Sequence, residues 1–94
     1  MNSFENIQLD NCFVLKDHKL PSCVLKDNNS GIEFTITADS SYPYLQVYTP
    51  PHRKSIAVEN LSSAPDSFNN HIGLIMAKPN ERYTFETSYQ IKKL

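Results

Sequence analysis

An alternation of apolar and polar residues with a period of two constrains the fold of this chain most. In residues 32–37, Ile-Glu-Phe-Thr-Ile-Thr, the side chains of Ile32, Phe34 and Ile36 fall on one side. This is the period of a β-strand, whose successive side chains point to opposite faces. Residues 82–91 alternate in the same way, and we expect a half-buried strand there that closes the domain. The pattern therefore predicts an all-β fold class.

Turn signals divide the chain into these strands. Asn-Asn-Ser-Gly at residues 28–31 predicts a hairpin between the Cys-Val-Leu segment at 23–25 and residues 32–37. Lys-Pro-Asn-Glu at 78–81 predicts a second turn, in which Asn80 takes a positive φ. Residues 61–70 are rich in Ser, Asn, Pro and Asp, so we expect an ordered loop with one helical turn after Pro65.

Length and charge limit the classes of function. The 94 residues are enough for a single domain, 1–94, with a thin core. The net charge is −1 and no Lys/Arg cluster occurs, so we expect no nucleic-acid partner. No apolar run approaches a membrane span and no leader pattern is visible, so we expect a soluble protein with no membrane partner. Cytoplasmic localisation is the default expectation, and an export signal in any upstream region stays open.

The cysteines and histidines predict no metal site and no cofactor. Cys12 and Cys23 are not at metal-ligand spacing from His18, His52 or His71. Both cysteines lie in apolar, strand-like segments, so we expect buried free thiols that act as small hydrophobic residues. The histidines lie in polar loop segments, where a solvated imidazole is the usual state.

One pair of segments sets polar groups among aromatic rings. If residues 44–49 and 55–60 pair antiparallel with Pro50 opposite Ser55, then Gln46 lies opposite Glu59. A slip of one residue would mix polar and apolar side chains on both faces, so the pattern selects this register. The register gives an apolar face of Leu45, Val47, Ile56 and Val58, and a second face of Tyr44, Gln46, Tyr48, Ala57 and Glu59.

The second face has the chemistry of a sugar site. A pyranose needs flat apolar surface for its C–H faces and a few directed hydrogen bonds for its hydroxyls. From the residues alone, an ordinary solvated sheet face with cross-strand pairs is the favoured interpretation, and a sugar site is the alternative.

Four short segments, in order, resemble the C-terminal part of the aldose 1-epimerase (galactose mutarotase) family. They are Leu-Asp-Asn-Cys-Phe-Val-Leu at 9–15, Leu-Gln-Val-Tyr-Thr at 45–49, Ile-Ala-Val-Glu-Asn at 56–60 and Pro-Asp-Ser-Phe-Asn at 65–69. The resemblance implies an antiparallel β-sandwich that is part of a galactose-mutarotase-like supersandwich. It also implies that residues 1–94 form the C-terminal fragment of a larger aldose 1-epimerase-like domain.

The resemblance implies a reaction and roles for its residues. The family interconverts the α and β anomers of a hexose such as glucose or galactose, by removing the proton of the C1 hydroxyl and protonating the ring oxygen. It assigns the general base to Glu59 and contacts with the sugar hydroxyls to Gln46 and Asp10. Asp66 and Asn69 match a loop that we expect to shape the cleft wall through side-chain to backbone bonds.

The resemblance also implies what this segment lacks. None of the three histidines matches the catalytic histidine of the family, so we expect the isolated chain to be a poor mutarotase or an inactive one. Strand edges that upstream strands would cover should be free for self-association. Two alternatives stay open: a non-catalytic carbohydrate-binding β-sandwich module, and a structural β domain with a chance resemblance. The identity of the sugar or sugar phosphate stays open as well.

Overall fold

The fold consists of two small antiparallel sheets. The computed structural model describes residues 8–52 and 54–94. The elements are β1 (Asp10–Val14), β2 (Cys23–Asp27), β3 (Ile32–Ala38), β4 (Tyr44–Tyr48), β5 (Ala57–Leu61), α1 (Ser67–Asn70) and β6 (Thr87–Lys93). Sheet A has the strand order β1-β4-β5, and sheet B has the order β2-β3-β6. This architecture is all-β, as predicted, and is consistent with a sandwich.

The turns form at the residues where they were predicted. β2 and β3 form the hairpin, with Leu25 opposite Phe34, and the N–H of Gly31 donates to the carbonyl of Asp27 at 2.9 Å. Gly31 has a φ of 69° and Asn80 a φ of 63°, values that glycine and asparagine tolerate better than most residues. The predicted helical turn after Pro65 is also confirmed, because α1 begins at Ser67.

A thin core lies between the two sheets. Its buried apolar side chains are Ile36 and Ala38 from sheet B and Leu45 and Val47 from sheet A. Asn60 lies opposite Leu45 in sheet A, and its Nδ2 donates to Oγ1 of Thr87 at 2.9 Å. Since Thr87 lies opposite Ala38 in sheet B, this bond shows that the two apolar faces are turned toward each other.

The other face of sheet B is polar. Glu33 lies between Lys26 of β2 and Lys92 of β6, with N–O distances of 3.7 and 3.9 Å. Such pairs contribute only about 0 to 1 kcal/mol each at a solvent-exposed site. They mark this face as the solvated side of sheet B.

The last strand differs from its prediction in start and burial. β6 begins at Thr87 rather than Arg82, because its partner β3 ends at Ala38, the residue opposite Thr87. One further bond, from the N–H of Asp39 to the carbonyl of Glu86 at 3.0 Å, ends the pairing. The strand lies at the edge of sheet B and is mostly exposed, so the expectation of a half-buried strand was wrong.

The expectation of two buried thiols was also wrong. Cys12 is exposed and Cys23 is half-buried, and both are free. Cys12 pairs with Gln46 on the face of sheet A that points away from sheet B, where an alternating pattern alone does not decide burial. Partial desolvation raises the pKa of both thiols.

No helix in the described part of the chain is long and apolar enough to cross a lipid bilayer.

Candidate functional site

The central strand of sheet A places Gln46 between the two strands that carry the predicted carboxylates. Gln46 lies opposite Cys12 of β1 and opposite Glu59 of β5. The register predicted from the pattern is therefore confirmed. Because directly paired residues share a face, the Gln46 and Glu59 side chains project from the same side of the sheet.

Asp10 joins this pair through a direct hydrogen bond. Nε2 of Gln46 donates to Oδ1 of Asp10 at 2.8 Å. Asp10 lies opposite Tyr48, one diagonal step from Gln46 on the same face. A carboxylate only accepts hydrogen bonds, so it fixes the amide with its nitrogen toward Asp10 and its oxygen away.

The other end of the same amide lacks a partner. Oε1 of Gln46 is buried and accepts no hydrogen bond from the described residues. Leaving a buried acceptor unpaired costs about 1 to 3 kcal/mol. A donor that reached this oxygen after a small shift of the side chains around it would recover that cost.

An open cleft of about 610 Å³ contains these groups. Its volume falls in the range of small-molecule sites, about 300 to 1,000 Å³. The lining residues are Asp10, Gln46, Tyr48, Glu59, Leu61, Ser63, Ala64 and Pro65. Tyr48 is 39% exposed, and its ring is the flat surface of the cleft. All three site residues predicted from the sequence thus lie in one cleft, and their chemical roles stay predictions.

The second wall of the cleft is formed by Ser63 to Pro65. The resemblance implied that this loop shapes the cleft wall, but through Asp66 and Asn69 rather than through these three residues. The N–H of Ala64 donates to the carbonyl of Ile72 at 3.0 Å, and the hydroxyls of Ser63 and Ser67 lie 3.0 Å apart. The signal for an ordered loop was present in Pro65 and the residues after it. Which way that loop folds depends on contacts outside the segment.

Asp66 and Asn69 stabilise this loop without lining the cleft. Nδ2 of Asn69 donates to Oδ1 of Asp66 at 2.6 Å, a bond between side chains rather than the predicted side-chain to backbone bond. The side-chain to backbone bonds come from Asn70, which donates to the Pro65 carbonyl and accepts from the Ile72 N–H, both at 2.8 Å.

Tyr44 does not line the cleft, although the alternation puts it on the same face as Gln46. Gly73 has a φ of 70°, and a Cβ added to it would lie 2.8 Å from Cε2 of Tyr44. The segment around Gly73 therefore lies directly against the tyrosine ring. Of the two rings expected on this face, only that of Tyr48 lines the cleft.

The cleft contains no imidazole among its lining residues. Nδ1 of His18 lies 3.3 Å from the Ala38 carbonyl, and Nδ1 of His52 accepts from the Lys54 N–H at 2.9 Å. His71 ends α1 with a φ of 61°. In residues 8–52 and 54–94, no group of three or more His, Cys, Asp or Glu side chains is arranged to hold a metal ion. The polar and aromatic residues that line the cleft are therefore two with carboxylates, one with an amide, one serine and one tyrosine.

Comparison with known proteins identifies the family. A sequence model of the aldose 1-epimerase family matches residues 2–90. No curated protein matches the chain significantly, and no solved structure does so either. The matched range contains every strand of sheet A and the whole cleft. The chain belongs to the aldose 1-epimerase family.

Proposed function

We propose that this chain supplies the general-base half of a mutarotase site for a hexose such as glucose or galactose. Family membership points to an isomerase of the epimerase kind. The observation that carries the proposal is the Gln46–Asp10 hydrogen bond beside Glu59 in one cleft. In this proposal residues 1–94 form the C-terminal part of a larger aldose 1-epimerase-like domain.

Each polar group of the cleft has a task in this proposal. The carboxylate of Glu59 takes the proton of the C1 hydroxyl as the ring begins to open. Asp10 and Oε1 of Gln46 accept hydrogen bonds from other sugar hydroxyls, which supplies the donor that this amide oxygen lacks. The ring of Tyr48 packs against a C–H face of the sugar.

The same cleft lacks the second proton handler. Ring opening also requires a proton on the ring oxygen, and none of the lining residues is a histidine. Loss of one general acid lowers a rate by roughly 10² to 10⁴. We therefore expect the isolated chain to be inactive or very slow, with the acid supplied from outside it.

Chemical complementation tests the assignment of Glu59. Imidazole added to the buffer stands in for the missing acid, and polarimetry follows the mutarotation of α-glucose and α-galactose. We expect the chain to accelerate the imidazole-dependent rate, and the Glu59→Gln variant to lose that acceleration, because an amide cannot take the proton. Glu81→Gln, which changes an exposed carboxylate outside the cleft, is the matched control.

Equal acceleration by the parent chain and by Glu59→Gln would show that Glu59 is not the base. Binding is measured separately, from the shifts of the Gln46 side-chain amide signals in ¹⁵N spectra during titration with each sugar. This measurement separates a failure to bind from a failure of catalysis.

A non-catalytic carbohydrate-binding module is the second candidate, and the absence of imidazole from the cleft lining favours it. A module of this kind binds the sugar through Asp10, Gln46 and Tyr48 and does not need a base. It predicts that Glu59→Gln binds as tightly as the parent chain, and that neither accelerates mutarotation with imidazole present.

A further inference from the structure

We propose that two copies of this chain pair through β6, antiparallel and centred on Gln90, so that sheet B continues from one copy into the other. The sequence predicts self-association through free strand edges without saying which edge is used. The structure distinguishes β6, the longest edge strand of the two sheets, from the others. This inference does not depend on the sugar-site proposal.

The hydrogen-bonding phase of β6 shows which of its backbone groups are free. The N–H of Leu94 donates to Gly31 and the carbonyl of Glu86 accepts from Asp39, so these two residues point toward β3. Residues in phase with them, Ser88, Gln90 and Lys92, pair with β3 in the same way. The intervening residues point their N–H and C=O groups away from β3, and no described strand pairs with them. They are Thr87, Tyr89, Ile91 and Lys93.

The same residues carry exposed apolar side chains. Tyr89 is 62% exposed and Ile91 72% exposed, although they lie opposite Ile36 and Phe34 on the apolar face of sheet B. The rings of Phe34 and Tyr89 stack with a centroid distance of 5.8 Å, and this apolar surface continues to the strand edge. An open edge with an apolar face is a template for pairing with another strand.

The side-chain pattern selects one register between the copies. Registers that place Tyr89 opposite an even-numbered residue would set apolar and polar side chains on the same face, so they are excluded. With Gln90 opposite Gln90 of the second copy, Tyr89 faces Ile91 and all of β6 is paired. Lys92 then faces Ser88 and Lys93 faces Thr87, which avoids direct contact between like charges.

The surface along β6 is open to such an interface. Six of the seven residues of the strand are exposed, all but Thr87. A second copy is the occupant favoured here because the β6 edge is complementary to itself.

A disulfide at the proposed axis tests the register. In this register Gln90 and its counterpart form a pair without mutual hydrogen bonds, with a Cα separation of about 4.5 Å, which a disulfide can span. Gln90→Cys, combined with Cys12→Ser and Cys23→Ala, should form a covalent dimer under mild oxidation. Ser88→Cys and Lys92→Cys in the same background should each remain uncrosslinked, and a mixture of the two should crosslink. The background without a new cysteine is the control.

Sedimentation of the unmodified chain tests the dimer without any substitution. We expect a dimer that dissociates on dilution, and loss of the dimer in Tyr89→Lys with an unchanged far-ultraviolet circular dichroism spectrum. A monomer throughout the micromolar range would overturn the proposal. So would a Tyr89→Lys chain that remains dimeric, or Ser88→Cys crosslinking as readily as Gln90→Cys.

Discussion

At the scale of single residues, the central feature is an amide held between two carboxylates. Gln46 donates to Asp10 on one side and faces Glu59 on the other. A neutral side chain at this position separates the two acidic groups while it orients one of them. The amide therefore holds Asp10 in place and adds no charge between the two carboxylates.

Replacing Gln46 with a carboxylate should destabilise the chain at neutral pH. Gln46→Glu loses the donor to Asp10 and adds a third negative charge, so we expect a loss of about 1 to 3 kcal/mol in the free energy of unfolding. Gln46→Met, similar in size and neutral, is the control for loss of the hydrogen bond alone. Urea unfolding followed by circular dichroism measures both.

The difference between the two variants should shrink at high salt, because salt screens the repulsion between exposed charges. Equal stability of Gln46→Glu and Gln46→Met at neutral pH would show that the charges in the cleft do not interact.

At the scale of elements, one loop contact explains why Tyr44 is absent from the cleft lining. The segment around Gly73 lies against the tyrosine ring with no room for a Cβ. Gly31 has nearly the same positive φ, but a Cβ there would meet no atom within 4 Å. A comparison of substitutions at these two glycines therefore separates the cost of a positive φ from the cost of a clash with a neighbouring side chain.

Alanine at the two glycines should give unequal losses of stability. Gly31→Ala should cost about 1 kcal/mol, because it places a side chain in the left-handed region. Gly73→Ala should cost more, because it adds the clash with Tyr44. The free energies of unfolding of both variants, and of each combined with Tyr44→Ala, measure the difference.

In the Tyr44→Ala background the two losses should become similar. If Gly73→Ala remained the costlier substitution there by the same margin, the ring would not be the cause.

The strand elements themselves were largely predictable, and their exposure was not. The alternation at residues 32–37 predicted β3, and the turn residues at 28–31 predicted its hairpin with β2. The register of β4 and β5 followed from a local rule, since a slip of one residue exchanges the two faces. The start of β6 at Thr87 depended on where its partner ends, which its own alternation does not contain.

At the scale of the whole molecule, a thin core and a polar bridge between β5 and β6 hold the two sheets together. The Asn60–Thr87 bond joins β5 to β6, and the Thr87 hydroxyl lies 3.3 Å from the carbonyl of Thr37 and donates to it. Few apolar side chains are buried around this bridge. Asn60 also follows Glu59 directly in β5. The residue that joins the two sheets is therefore the neighbour of a residue that lines the cleft.

Removing the Asn60–Thr87 hydrogen bond should destabilise the chain, and the losses from substituting its two partners should not add. Asn60→Ala should cost about 1 to 2 kcal/mol, because it removes a hydrogen bond and leaves a small cavity between the sheets. Thr87→Val should reproduce part of this loss, and the double variant should lose less than the sum of the two. Thermal unfolding of the four chains gives the coupling energy.

Losses that simply add would show that the two side chains do not interact in solution. Asn11→Ala, which removes an exposed strand asparagine of sheet A, is the matched control for the first substitution.

The sequence by itself predicted β3, its hairpin with β2 and the facing of Gln46 and Glu59. Alternation and turn chemistry are local, and period-two pairing leaves one register consistent with them. The tertiary structure alone decided that Asp10 bonds directly to Gln46 across 36 positions of sequence, and that Cys12 and β6 are exposed. It also decided that Ser63 to Pro65, rather than Asp66 and Asn69, line the cleft. Burial depends on which sheet face meets which neighbour. The pattern of a strand states which side chains share a face, but it does not state what covers that face.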